Sequence, residues 1–422
     1  MRQTGLILLV SLGFGLLTPI ASVYGDSNWP EFRGPHENGH ADGAGYPTHW
    51  SPTENIAWKT PLPGRAWSSP VIWGNQIWMT NATEDGKKLS AYCLDKASGT
   101  ILHDLPVFEV AVPQFCHKFN SYASPTPLIE EGRIYLSWGS SGIVCLDTKT
   151  LERIWTRRDL ECDHFRGAGS SPIVFENLLI QHYDGHDFQY VIALDKKTGA
   201  TVWRTERPKD FRTTDGDVKK AYATPIVVDV GGRPVLISPA SKGAFAYDAR
   251  TGEEIWRILY ESFSTSSRPV FGHGLVFLSS GFGKADLIAV RPDGQGDITK
   301  SNIAWVEKKQ MPSKPSPLLI DDFVYTIGDQ GVATCLDAKT GKTVWTKRIG
   351  GNYSAAPIYA GGHVYFFSEE GKTTVFKPGS EFEAVAENEL PDGFMASPAA
   401  SDGALYLRTR TALYRVESKP AQ

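Results

Sequence analysis

The chain has 422 residues, with 43 Lys and Arg against 47 Asp and Glu and a formal net charge of −4 at pH 7. That balance gives no electrostatic reason to expect nucleic acid or an anionic membrane as a partner. Its 41% apolar and 11% aromatic content supports a large core and excludes a disordered chain, while 41 Gly and 27 Pro supply the frequent turns of an all-β protein.

Residues 1–25 read as a secretory signal peptide. Arg2 gives a positive start, and Leu6–Ile20 is an apolar run too short and Gly-broken for a comfortable membrane span. Val23 and Gly25 place small residues at the two positions that favour cleavage before Asp26. An uncleaved N-terminal anchor is the alternative. No Cys lies near the cleavage point, and no later apolar segment is long enough to span a bilayer. The expectation is an exported, soluble protein, periplasmic or extracellular, without a lipid anchor. Residues 26–54 are rich in Pro, Gly and His and lack periodicity. They read as an extended N-terminal arm containing WPEFRGPHENGH at Trp29–His40.

From residue 55 onward two elements recur. The first is a hairpin in which a strand runs into a Leu-Asp-x-x-Thr-Gly turn and returns to a Trp. Val191–Trp203, VIALDKKTGATVW, shows it most clearly. Leu146–Trp155, Tyr247–Trp256 and Leu336–Trp345 repeat it. Asp and Gly suit the turn, Asp by bonding its own backbone and Gly by tolerating positive φ. Leu94–His103 has the same frame with His103 in the Trp position. In Val290–Trp305 four extra residues separate Asp293 from Trp305. The second element is a run of small residues and Pro before two short apolar strands. Its prolines are Pro70, Pro125, Pro172, Pro225, Pro269, Pro317, Pro357 and Pro398, spaced 40 to 55 residues apart. Each would sit at a strand start, where the missing N–H costs little.

Two strands from each element make four antiparallel strands per unit, the signature of a propeller blade. The expected fold is therefore all-β: an eight-bladed β-propeller over residues 55–418. The last unit lacks a fourth strand, and the spare strand Asn55–Thr60 stands at the start. Ring closure follows, with Asn55–Thr60 pairing against Leu413–Val416 and Trp58 in the docking position of blade 8. The indoles of Trp58, Trp155, Trp203, Trp256, Trp305 and Trp345 are expected to wedge against neighbouring blades, each burial being worth roughly 2–3 kcal/mol. With His103 in blade 1 and only Phe382 nearby in blade 7, two junctions should pack differently.

Of the five cysteines, Cys93, Cys145 and Cys335 occupy a slot that holds Ala193 and Ala246 in other blades, so they read as small buried residues. Cys116 and Cys162 lie in equivalent loops of blades 2 and 3, each beside a His (His117 and His164). A disulfide, a metal site and two unpaired thiols are the alternatives there. The loops entering each innermost strand converge on one mouth of the channel. They carry Arg65, Trp67, His117, Asn120, Tyr122, His164, Arg166, Lys220, Tyr222, Arg268, Lys314 and Tyr353, with Lys118, Lys219 and Asn352 beside them. This concentration of basic and aromatic groups points to a site for an anionic or polar ligand, partly offset by Asp215 and Asp217. The competing reading for any one of them is a solvated loop charge or blade-edge packing. Gly281–Lys284 lacks the spacing of a phosphate loop and reads as a turn. No nucleophile elbow or zinc-protease motif is present.

The hairpin, as in ALDKKTGATVW, resembles the tryptophan-docking motif of pyrroloquinoline quinone (PQQ)-like β-propellers. That group includes quinoprotein alcohol dehydrogenases and the propeller lipoprotein of the bacterial outer-membrane barrel-assembly machinery. WPEFRGP, HKFNSYASPTP, YVIALDKKTG and RPVFGHGLVF make the whole chain similar to exported PQQ-like repeat proteins of planctomycetes and related bacteria. The resemblance implies the propeller fold over residues 55–417 and makes PQQ with calcium a cofactor to consider. Against that, the chain has no adjacent Cys-Cys pair, and the family's calcium-binding and catalytic residues match no definite position. It also lacks the Cys that would anchor a lipoprotein. The expected function is a monomeric, non-catalytic propeller that binds a protein partner or a small polar or anionic ligand at the channel mouth. A PQQ-dependent oxidoreductase acting on alcohols or sugars is the alternative.

Overall fold

In the computed structural model, which describes residues 28–208 and 214–418, each repeat unit forms one antiparallel sheet. The expected signal peptide lies outside the described residues. Eight sheets are present, and each is a blade. Blade 1 runs from a short innermost strand at Val71–Trp73, through Gln76–Ala82 and Lys88–Asp95, to the outer strand Ile101–Glu109. Blades 2 to 7 repeat this inner-to-outer order. Blade 4 adds a fifth strand, Gly296–Asp297, parallel to Glu254–Leu259. It is supplied by the longer blade 5 hairpin between Asp293 and Trp305.

Blade 8 takes its three inner strands from Ala399–Ser401, Ala404–Arg408 and Ala412–Glu417, and its outer strand from Ile56–Pro61. The register pairs Trp58 with Arg415 and Thr60 with Leu413, antiparallel, as the closure expectation requires. The ring thus ends on an internal hydrogen-bonded pair rather than on an open edge.

One proline differs from the sequence reading. The innermost strand of blade 2 starts at Leu128, so Pro127 is the strand-start residue and Pro125 lies two positions earlier. The Ser-Pro-Thr-Pro run offered two prolines, and strand register selects the second.

Apolar clusters fill the seams between blades. Blades 1 and 2 share one around Trp78 and Trp138, and blades 4 and 5 share one around Trp256. The docking tryptophans lie over these seams. Trp58, Trp155, Trp203 and Trp305 donate their indole N–H to Lys96, Lys196, Ala249 and Ala338 carbonyls at 3.2, 3.0, 3.3 and 3.0 Å, each in the hairpin turn of the next blade. Trp256 and Trp345 do the same to Pro292 and Gly379, at 2.8 and 3.0 Å. The turn glycine is fixed by this contact. A Cβ on Gly99, Gly199, Gly252 or Gly341 would lie 2.5–2.7 Å from the incoming ring, and all four have positive φ.

The blade 1 to blade 2 junction confirms the logic by exception. His103 replaces the Trp, paired with Cys93 in the docking register. With no ring arriving, the turn position equivalent to Gly199 is Leu151, at φ 62°. The carbonyl that an indole would reach, Thr148, accepts instead from the Gln76 side chain at 3.2 Å. In blade 7 the docking register holds Ala386, opposite Val375, while Phe382 packs edge-on against Trp345 from blade 6. Trp50 of the arm is buried in the cluster joining blades 7, 8 and 1.

The arm does more than lead into the ring. Trp29 exchanges two backbone hydrogen bonds with Ile72 of blade 1, and the Pro30 carbonyl accepts from Ile129 of blade 2. Gly39 and Ala41 bond Tyr359 of blade 7, and His40 reaches the Leu319 carbonyl of blade 6 at 2.7 Å. The arm therefore crosses the innermost strands and covers one end of the channel.

Candidate functional site at the channel mouth

At the opposite end the loops leave a cavity of about 520 Å³, within the range of small-molecule sites. Of the residues expected at the mouth, Trp67, His117, Asn120, Arg166, Lys220, Tyr222 and Lys314 line it. Phe32, from the arm, lines it as well.

Five of the expected residues do not line it. Arg65 stacks over Trp67 at 5.5 Å and donates to the Lys118 carbonyl. Tyr122 donates to the Gln114 carbonyl at 3.0 Å. His164 is buried and accepts the Ser140 amide on Nε2 at 3.0 Å; burial pushes its imidazole down to about 4. Tyr353 is fully buried among blade 6 and 7 residues. Arg268 is fully buried and turns toward the arm, donating to Glu37 Oε2 at 2.8 Å and to the Phe32 carbonyl. Lys118, Lys219 and Asn352 also lie off the cavity lining.

Cys116 and Cys162 are free thiols, so the disulfide alternative is not formed in this structure. Their sulfurs meet different partners: Cys116 the carbonyls of His117 and Arg166, Cys162 the ring of His164 and the Phe188 carbonyl. His117 accepts the Phe119 amide at 3.2 Å. The two histidines thus serve separate loops rather than forming a shared ligand pair.

The cavity combines cations with aromatic faces. Lys314 sits 4.5 Å over the Phe119 ring, and Lys220 is 5.3 Å from Phe165 and 5.8 Å from Phe263. Phe263 meets Phe282 edge-on at 5.7 Å. Phe282 and Phe119 are 61% and 41% exposed, an unusual outlay of apolar area at a polar mouth. Sequence reading passed over these phenylalanines because Phe263 and Phe282 come from different loops of blade 5 and meet only in space.

The carboxylates here are already engaged. Asp217 accepts from Arg166 at 3.1 Å and from Lys220. Burial works against its charge, yet those bonds hold its carboxyl below the usual range. Lys220 is driven down by burial, against the pull of Asp217. Asp329 accepts the amides of Ser313 and Lys314 at 3.0 and 3.3 Å. Glu369, behind Lys314, accepts from Lys314 and Ser354 at 2.9 and 2.6 Å. Arg166 and Lys220 share the one carboxylate of Asp217 and together keep a net positive charge, while Lys314 is paired with Glu369; their remaining N–H donors can meet an anion, and the rings can stack on an apolar face.

The family model for the outer membrane protein assembly factor BamB, a PQQ-like propeller, matches residues 86–302 and 300–380. The chain belongs to this family. It is 29% identical over 161 residues to BamB of Marinobacter adhaerens, covering 36% of this chain and 38% of that protein. It is 29% identical over 141 residues to a quinoprotein ethanol dehydrogenase of Pseudomonas putida, covering 31% of this chain and 22% of the enzyme. The matches thus span well under half the length of these curated relatives. Among solved structures, BamB of Moraxella catarrhalis superposes with a TM-score of 0.58 at 12% identity, over 85% of this chain and 99% of that one. The quinohemoprotein alcohol dehydrogenase of Comamonas testosteroni superposes with 0.64 at 11% identity, over 94% and 81%. At these identities the likeness concerns the fold.

A calcium-held quinone does not fit this donor set. Calcium takes several oxygen ligands with carboxylates among them, and Asp217, Asp329 and Glu369 each already serve a protein cation or backbone amides. Among the described residues no three His, Cys, Asp or Glu side chains gather as a metal site. No helix among the described residues is long and apolar enough to cross a membrane.

Proposed function

We propose that this protein is an exported, non-catalytic propeller that binds a small anionic ligand with an apolar face at its channel mouth. The observation that carries the reading is the pairing of cations with open aromatic faces around one cavity, as with Lys314 over Phe119 at 4.5 Å. The carboxylates that could serve as a general base are engaged by the protein's own donors, which favours binding over the oxidoreductase alternative. Similarity to BamB supports a second reading, a protein partner docked on the mouth face. The exposed Val112 and Phe115, at 87% and 60%, favour it.

The first test is fluorescence titration with the aromatic anion 8-anilinonaphthalene-1-sulfonate. Saturable binding is expected, weakened about tenfold by Lys314→Gln, the effect of losing one charge-assisted contact. Phe119→Ala should weaken it as well. Binding indifferent to both substitutions contradicts the mouth as the site. Dye-linked oxidation of an alcohol or sugar after adding PQQ and calcium overturns the non-catalytic reading.

A further inference from the structure

Six blades begin their innermost strand with a hydroxyl residue directly before proline: Ser69, Thr126, Ser171, Thr224, Ser316 and Ser397. Blades 5 and 7 carry Arg268 and Ala356 there. Each hydroxyl accepts the amide of the equivalent residue in the preceding blade. Ser69 N–H donates to Thr126 at 3.0 Å, Thr126 to Ser171 at 2.9 Å, and Ser171 to Thr224 at 3.1 Å. Arg268 donates to Ser316 at 2.9 Å, Ala356 to Ser397 at 2.8 Å, and Ser397 to Ser69 at 3.2 Å. The result is a belt around the channel, interrupted where the next blade offers no hydroxyl.

A hydroxyl has one hydrogen to give and two lone pairs to receive. Each of the six spends a lone pair on its neighbour's amide. None of the six donates its own hydrogen to another protein group among the described residues. All six line the same cavity. They therefore present donors from blades distributed around the axis, with Lys314 and Arg166 lining the same space. A planar carboxylate offers two oxygens in one plane. A phosphate or sulfate group offers three terminal oxygens that diverge, which suits donors arriving from several sides.

We propose that this throat binds a small polyoxyanion, a phosphorylated or sulfated molecule, with its anionic oxygens on the hydroxyl belt and its remaining surface toward the aromatic rim. The proposal rests on the ligand-binding reading above and names the class of ligand.

Isothermal titration of the full chain with inositol hexakisphosphate, inositol hexasulfate and neutral inositol tests it, with melting followed for every variant. Binding of either polyanion without inositol binding is expected, and the two polyanions separate a phosphate source from a sulfate source. Ser171→Ala should weaken binding about tenfold, as loss of a hydrogen bond to a charged group does. Ser171→Thr, which keeps the hydroxyl, should stay within about twofold. Ala356→Ser adds a seventh hydroxyl without removing a bond and should tighten binding about threefold. Polyanion binding that falls with Lys314→Gln but ignores both Ser171→Ala and Ala356→Ser overturns the belt site and leaves the mouth reading standing. Failure of both polyanions while the naphthalene sulfonate still binds refutes the belt site alone. Failure of all three anions refutes both.

Discussion

Substituting Gly199 by Ala should damage the protein, while substituting Leu151 by Gly at the equivalent turn should not. Gly199 has φ +74°, and a Cβ there would lie 2.7 Å from the Trp155 ring. An L-residue in the left-handed region costs roughly 1–2 kcal/mol relative to Gly. Pushing the indole out of a packed seam adds roughly 1–3 kcal/mol. The expected loss is therefore roughly 2–5 kcal/mol. Leu151 sits at φ 62° with no Trp arriving from blade 1, where His103 stands in the docking register. Replacing it by Gly relieves the backbone but gives up a half-buried apolar contact. The net change should stay within about 1 kcal/mol. Urea unfolding followed by tryptophan fluorescence reads both, as a shift in midpoint at unchanged slope. Equal losses at the two turns, or a neutral Gly199→Ala, would refute the docking argument.

Three further outcomes follow from the same structure. Trp58→Ala should cost roughly 2–3 kcal/mol, and a chain starting at residue 62, which lacks the outer strand of blade 8, should melt well below the full chain; unchanged melting contradicts the closure. Thiol titration of denatured protein should count five free thiols, matching the five unpaired cysteines, whereas a count of three would restore a bridge. Burial pushes both His164 and His182 down to about 4 from 6.5. For His182 the nearby Arg207 adds to the effect and Asp184 opposes it. The unfolded chain takes up protons between those values while the folded chain stays neutral. Stability is thus full above pH 6.5 and declines as pH falls toward 4, by something on the order of 3 kcal/mol per imidazole. His164→Asn should flatten part of that decline in a pH series of urea midpoints, and an unaltered profile would count against the assignment.

The repeat was legible because it is written in turn chemistry and in the spacing from Asp to Trp, both local properties. Closure was legible because one strand was missing at one end and spare at the other. The direction of each loop side chain was not legible. Arg268, His164 and Tyr353 lie in the same kind of blade-entry loop as Lys314 and Arg166, yet the first three are buried, and only the surrounding blades decide that. Arg268 turns away because Glu31 and Glu37 of the arm wait at the covered end, an interaction more than 230 residues apart in sequence. The hydroxyl belt had a signal in plain view, Ser or Thr before the strand-start proline. That signal hides within a run of small residues, and in blade 2 the Ser-Pro-Thr-Pro sequence at residues 124–127 offers two prolines of which only strand register selects Pro127.

The most direct measurement of the central claim is an anomalous difference map from crystals soaked in tungstate, a heavy tetrahedral oxyanion. The account predicts a peak inside the mouth cavity, within hydrogen-bonding distance of belt hydroxyls such as Ser171 and near Lys314, and its loss in Lys314→Gln crystals. Peaks confined to surface lysines, with the cavity empty, would contradict it.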